Sequence, residues 1–292
     1  MCGIAGIVNF NTSINIPKSL KLMTSIIAHR GPDDEGFAFF SENEISTAGS
    51  KSTPENIWNT NLDYKPIEHI DNVSRNFDIG LGHRRLSILD LSPSGHQPMC
   101  INNKSIWITY NGEVYNFIEL KAELQNEGYE FHTSSDTEVI LNAYKHWGYN
   151  CVDHFNGMWA FVIYDKEKKL LFGSRDRLGV KPFYYYLDKN AFTFASEQKA
   201  LVAMDFVKTG INPDAVFDYF ILDRIEYQEE SFFKNIIELP ASTSFTFDLS
   251  SKKLNKWVYY KLPLNNKHEQ YDEAKMQENT AKLTQILNRA IS

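Results

Sequence analysis

Cysteine is scarce in this chain of 292 residues: there are three, Cys2, Cys100 and Cys151. No two have metal-ligand spacing, and an odd number argues against a disulfide framework. No metal is expected, and a reducing, cytoplasmic setting is. Basic clusters are missing as well. Lys and Arg total 30 against 37 Asp and Glu, for a formal net charge of -7. With no basic block there is no nucleic-acid footprint, so nucleic acid is not an expected partner. A membrane is not expected either. No apolar run approaches the roughly 18 residues of a span, and residues 158–164 are typical of the longest. The N-terminus, Met1-Cys2-Gly3-Ile4-Ala5-Gly6, lacks the positive region of a signal peptide. There is no internal repeat and no Walker-type phosphate loop.

What is present can fill a core: 42% of residues are hydrophobic and 14% aromatic. Residues 3–10 are apolar and glycine-punctuated, and read as a buried strand. Leu20, Met23, Ile26 and Ile27 have helical spacing, which predicts a helix over 18–28. The polar stretch 42–77 reads as a long surface insertion. Strands are predicted over 79–91 and 105–110, and helices over 117–127 and 136–147. Ser135 or Asp136 can cap the second helix. Short apolar runs at 158–164, 170–174, 182–186 and 192–195 read as an antiparallel meander. Beyond 201, a helix is expected over 213–222, a strand over 243–247, a linker over 261–270 and a helix over 273–292. Strands early, helices in the middle and strands late suggest α+β layers.

Cys2 is the residue on which chemistry can start. On an apolar strand it could simply be a buried core cysteine. If Met1 is removed, however, one residue carries both a thiol and an α-amine. Their reference pKa values, about 8.5 and about 7.7–8.0, are close enough for the amine to act as general base for the thiol. The thiolate would attack an amide carbonyl, form a thioester and release ammonia; water would then release the acid. Such attack needs an oxyanion hole. Asn111-Gly112-Glu113, placed after a predicted strand, offers a side-chain amide and a backbone N–H, though the same tripeptide also reads as a turn. Arg84 and Arg85 can bind a carboxylate bidentately, and Asp136 can meet an ammonium. Singly, each also reads as a surface ion pair or a helix cap. His29-Arg30-Gly31-Pro32-Asp33 is equally ambiguous alone.

Taken together and in order, MCGIAGI, HRGPDDEG, GHRRLSILD, HQPM, YNGEVYNF, SDTEVIL, FNGMWAFVIYD and RDRLGVKPFYY resemble the class II, N-terminal-nucleophile glutamine amidotransferases. Within them the set is similar to the glutaminase domain of glutamine-hydrolysing asparagine synthetases, and Tyr110-Asn111-Gly112-Glu113-Val114-Tyr115-Asn116 carries that finer likeness. The resemblance implies a four-layer αββα sandwich. It implies that Cys2 is the nucleophile and that Asn111 and Gly112 form the oxyanion hole. Arg85 would hold the glutamine α-carboxylate and Asp136 the α-amino group. Glu113 and the backbones of Leu86 and Ile88 would make further substrate contacts, and Arg30 would support the site.

The same resemblance implies a glutaminase domain over 1–205, an extension or connector over 206–262, and a linker with the start of a synthetase domain over 263–292. The synthetase's Ser-Gly-Gly-x-Asp-Ser loop does not occur here. ATP and magnesium are expected only in that further domain, and no cofactor is expected for glutamine hydrolysis. The implied partners are glutamine, the synthetase domain of the longer protein and a second copy in a homodimer. The long 42–77 stretch leaves open a branch that amidates a sugar or another carboxylate. A non-catalytic module of the same fold, or a hydrolase of other amides, would also fit single motifs.

Overall fold

Alternation sets the layers. In Gly3–Asn9, Ile4 and Val8 face one core while Ala5 and Ile7 face another, and all four are buried. A strand buried on both faces needs a layer on each side. The computed structural model describes residues 1–10, 14–224, 229, 231–264 and 270–291. In chain order the elements begin with β1 (Gly3–Asn9), α1 (Ile16–Ile26), β2 (Asp34–Phe40), β3 (Ile45–Gly49), α2 (Glu55–Trp58), β4 (Glu68–His69) and β5 (Ile79–Arg85). Next come β6 (Met99–Ile101), β7 (Ile106–Val114), α3 (Phe117–Asn126), α4 (Asp136–Trp147), α5 (Cys151–His154), β8 (Gly157–Asp165) and β9 (Leu170–Arg175). The remainder are β10 (Tyr184–Leu187), β11 (Ala191–Ala195), α6 (Gln198–Val202), α7 (Pro213–Leu222), β12 (Ile237–Glu238), β13 (Thr243–Asp248), β14 (Lys253–Val258) and α8 (Glu273–Ile291).

Among the described residues the strands form an eight-stranded sheet, β12-β10-β11-β1-β5-β2-β3-β4, and a six-stranded sheet, β14-β13-β9-β8-β7-β6. Pairing is antiparallel except between β3 and β4. The sheets meet through aromatic contacts: Phe40 lies 5.3 Å from Trp107 and 4.6 Å from Tyr164, and Phe192 stacks on Phe247 at 4.7 Å. Outside the first sheet, Leu20 and Met23 of α1 pack with Ile7, Phe39 and Leu201. Outside the second, Tyr144 of α4 stacks on Phe172 at 5.5 Å. Helix, sheet, sheet, helix is the αββα order, as expected.

Local chemistry agrees with these boundaries. Asn15 caps α1 by accepting from Lys18 N, with a proline in the first turn. Ser135 caps α4 by accepting from Thr137 N, and Gly148 ends it at φ +62°.

Four expectations need correction. First, the stretch 42–77 is not a surface insertion. It supplies β3 and β4, the sheet edge, and buries Ile57, Tyr64, Ile70, Val73 and Phe77. A few well-spaced apolar anchors suffice there, although the residues between them are polar. Second, the strand expected over 79–91 ends at Arg85, and the residues after it form a loop. Third, Asn111-Gly112-Glu113 lies within β7, paired with Ala160, Trp159 and Met158, rather than in a turn after it. Fourth, the late runs do not form one meander. β8 and β9 pair in one sheet, while β10 and β11 pair in the other. The segment 206–262 is integral to the sandwich, since β12 borders one sheet and β13 and β14 border the other.

Met1–Lys261 is one compact unit and Leu262–Ser292 another. The second contains α8, along which Met276, Leu283, Ile286 and Leu287 are exposed at helical spacing. The linker expected over 261–270 falls partly on residues 265–269, outside those described.

Candidate active site

β1 is central in its sheet, with β5 on one side and β11 on the other. Gly3 pairs with Arg84, which brings Cys2 beside the end of β5. Leu86 N donates to Cys2 Sγ at 3.4 Å, and the thiol contacts Leu86 O at 3.6 Å. Two inter-sheet hydrogen bonds hold β7 against β5 at this level. Thr109 Oγ1 donates to Gly82 O at 3.0 Å, and His83 Nε2 donates to Tyr110 O at 2.9 Å. This tie sets Asn111 and Gly112 across from Cys2.

A cleft of about 570 Å³, part of it open to solvent, joins these groups. Cys2, Arg85, Leu86, Ile88, Asn111, Gly112, Glu113 and Asp136 all line it. Every substrate-facing residue expected from the sequence is thus in one place. Arg30 stands behind it: its Nε donates to Cys2 O at 2.9 Å, and its Nη1 pairs with Glu197 at 3.0 Å. Burial works against ionisation of Glu197, yet hydrogen bonds from Lys199, Arg30 and His29 hold its carboxyl down to about 2. Arg84, the other candidate cation, points elsewhere and is buried in an ion pair with Glu35 at 2.8 Å.

The polar groups of the cleft are held differently. Asn111 Nδ2 is buried and has no hydrogen-bond partner among the described residues. A buried amide left unpaired costs about 1–3 kcal/mol, which a ligand oxygen would offset. Gly112 has no room for a side chain, because a Cβ would strike Met158 O and lie 2.6 Å from the Tyr110 ring. Arg85 donates to the carbonyls of Ser92 and Asp90. Asp136 Oδ2 accepts from Tyr110 Oη at 2.8 Å and Val114 N at 3.0 Å. Burial pushes the Cys2 thiol above its ordinary value; the Leu86 amide, the amino terminus, Arg85 and Lys181 pull it down, without cancelling the rise.

Among the lining residues with no assigned role in the sequence, three bear on the geometry of the site. Gln97 accepts from Tyr110 N at 2.8 Å, and Tyr110 carries the bond to Asp136. Lys181 is buried and lines the cleft, and no hydrogen bond or ion pair of its ammonium is found among the described residues. All three lie inside the quoted motifs, HQPM, YNGEVYNF and RDRLGVKPFYY. The motifs drew attention to these segments, but only the folded geometry turns their side chains toward the cleft.

Two face-to-face sheets flanked by helices, with a cysteine leading a central strand and a buried side-chain amide across a cleft, are the arrangement that the family resemblance implies. Comparisons with known proteins agree. The glutamine amidotransferase domain profile matches residues 69–260. A putative glutamine-hydrolysing asparagine synthetase of Methanocaldococcus jannaschii is 41% identical over 97% of this chain, which spans 50% of that protein. Asparagine synthetase 3 of Bacillus subtilis is 34% identical over 94% of the chain, which spans 39% of it. In fold, the chain is similar to the glutamine phosphoribosylpyrophosphate amidotransferase of B. subtilis, with a TM-score of 0.59 at 19% identity, over 89% of this chain and 49% of that one. The chain belongs to the glutamine amidotransferase domain family, and its sequence relatives include glutamine-hydrolysing asparagine synthetases. It spans about half of their length or less.

Proposed function

We propose that this chain hydrolyses glutamine to glutamate and ammonia through a thioester on Cys2. The observation that carries this reading is the buried Asn111 Nδ2, without a partner among the described residues, in the same cleft as the Cys2 thiol. With the thiol raised by burial, attack at neutral pH needs a base. Removal of Met1 would free the Cys2 α-amine for that task. The tetrahedral oxyanion would be met by Asn111 Nδ2 and the Gly112 backbone amide. Arg85 would take the substrate α-carboxylate and Asp136 the α-ammonium, with Glu113, Leu86 and Ile88 bordering the bound amino acid. Arg30 would fix the Cys2 carbonyl, and hence the thiol's position.

By their names, the relatives make asparagine, so aspartate is the proposed final acceptor of the ammonia. ATP and magnesium would serve a synthetase domain beyond this chain, the proposed partner. A homodimer in the cytoplasm is proposed from the family resemblance. In support of the cytoplasm, the three cysteines are free, and no helix among the described residues is long and apolar enough to cross a membrane.

The test is release of glutamate and ammonia from glutamine by the purified chain, with intact mass recorded on the same sample. Release from protein lacking Met1, abolished by a glutamine-analogue alkylator that adds mass at Cys2, is the expected result. No release from fully processed protein, alone or with its synthetase domain, would refute it.

A further inference from the structure

Besides the Val114 amide bond to Asp136, the start of α4 is tied to β7 by two bridges. One is the Tyr110 Oη to Asp136 Oδ2 bond, 2.8 Å long and buried. The other runs through Gln97, whose Oε1 accepts from Tyr110 N at 2.8 Å and whose Nε2 donates to Thr137 Oγ1 at 3.4 Å. Tyr110 and Asp136 are 2% and 5% exposed, so water cannot readily replace either partner. Burial pushes the Tyr110 phenol far above its usual range, so it remains an O–H donor at every working pH.

Asp136 is the more delicate partner. Burial raises its carboxyl above the ordinary aspartate value, and the nearby Glu113 adds to the rise. The Val114 amide and the Tyr110 hydroxyl oppose both, because each donates to the ionised form. The other titratable or charged groups around the cleft are the amino terminus and Cys2 on the β1 side, Arg85 at the end of β5, Asp90 in the loop after it, and Lys181 after β9. Glu138, two residues further along α4, is occupied by His132 N and Thr133 N.

We propose that Tyr110 is a positioning residue for substrate recognition: its hydroxyl keeps the Asp136 carboxylate ionised and oriented for the α-ammonium of an amino-acid substrate. The inference rests on the glutaminase reading above. A protonated Asp136 could not pair with an ammonium, so loss of the phenol donor should weaken substrate binding most on the acid side. The bond-making atoms, Cys2 Sγ and the Asn111 amide, are not touched by Tyr110 Oη, so turnover at saturation should change little.

The experiment is Tyr110→Phe in the full chain, with KM and kcat for glutamine followed from about pH 5.5 to 8.5. A KM about tenfold above wild type at pH 6, narrowing to about twofold at pH 8, with kcat within about twofold throughout, is expected for loss of a hydrogen bond to a charged group. Asp136→Asn should show a high KM without that pH dependence. In parallel, the infrared band of the protonated carboxyl, assigned by its loss in Asp136→Asn, should appear at higher pH in Tyr110→Phe than in wild type. An unmoved band, or a KM change that is equal at all pH values, would overturn the proposal. A wild-type protein inert toward glutamine would sink the glutaminase reading instead, and the band position would still decide whether Tyr110 controls Asp136.

Discussion

The two walls of the cleft are prepared to different degrees. On the six-stranded side, Asn111 Nδ2 is buried with no partner among the described residues, and Gly112 is locked between Met158 and the Tyr110 ring. On the eight-stranded side, Arg85 is already engaged with the carbonyls of Asp90 and Ser92, and Cys2 Sγ with Leu86. The first wall holds an open donor where charge would develop in a transition state, which is preorganisation at its least costly. The second must exchange bonds to receive a ligand. The nucleophile itself aside, chemistry should therefore depend steeply on the first wall, and binding more gently on the second.

The largest effect is expected from Cys2→Ala, the nucleophile that both walls serve, which should lower glutamine hydrolysis by at least about four orders of magnitude while leaving the fold intact by circular dichroism. Turnover at the wild-type rate would remove the nucleophile from the account. Asn111→Ala comes next. It should reduce kcat by about 10²–10³ with little change in KM, and an equal effect on KM alone would mean the amide serves binding, not the oxyanion. Arg85→Ala should raise KM by about 10–100-fold and spare kcat, the range for losing a charge-assisted hydrogen bond. Equal losses in kcat would erase the distinction between the walls.

The smallest effect concerns the tie between them. Burial pushes the His83 imidazole down to about 3, against the pull of the Tyr110 carbonyl it donates to. In the unfolded chain it titrates near 6.5. Its folded pKa being the lower one, the native state loses stability as pH falls below about 6.5, by up to about 1.4 kcal/mol per pH unit. Thermal melting of wild type and His83→Gln between pH 7 and pH 5 should show the shallower slope in the variant. Parallel slopes would mean another group governs this window.

Much of the site was legible before folding because its residue types are chemically specific. An N-terminal cysteine, an Asn-Gly pair and an Arg–Asp set have few joint uses. What escaped was whatever depends on a distant partner. Asn-Gly favours turns locally, yet here it is held in β7 by Ala160 and Trp159 of β8, far along the chain. The runs after 157 have the period of strands but carry nothing that says which sheet each joins. The polarity of 42–77 hid its anchors, because an edge strand buries only part of its length. Tyr110 and Gln97 looked like neighbours of important residues, and only their hydrogen bonds reveal their own part.

One architectural detail bears on how the chain must be handled and how it matures. The resemblance is densest up to residue 205, yet β13 pairs with β9 and β12 with β10, from beyond that point. A fragment cut at 205 would leave the backbone N–H and C=O groups of β9 and β10 without those neighbours. Bare strand edges of this kind recruit other chains, so such a fragment is prone to aggregate. During synthesis the edge of β10 stays uncovered until the ribosome has delivered the chain through Glu238 and that of β9 until it has delivered Asp248, which makes the late β13–β14 hairpin the step that seals the sandwich.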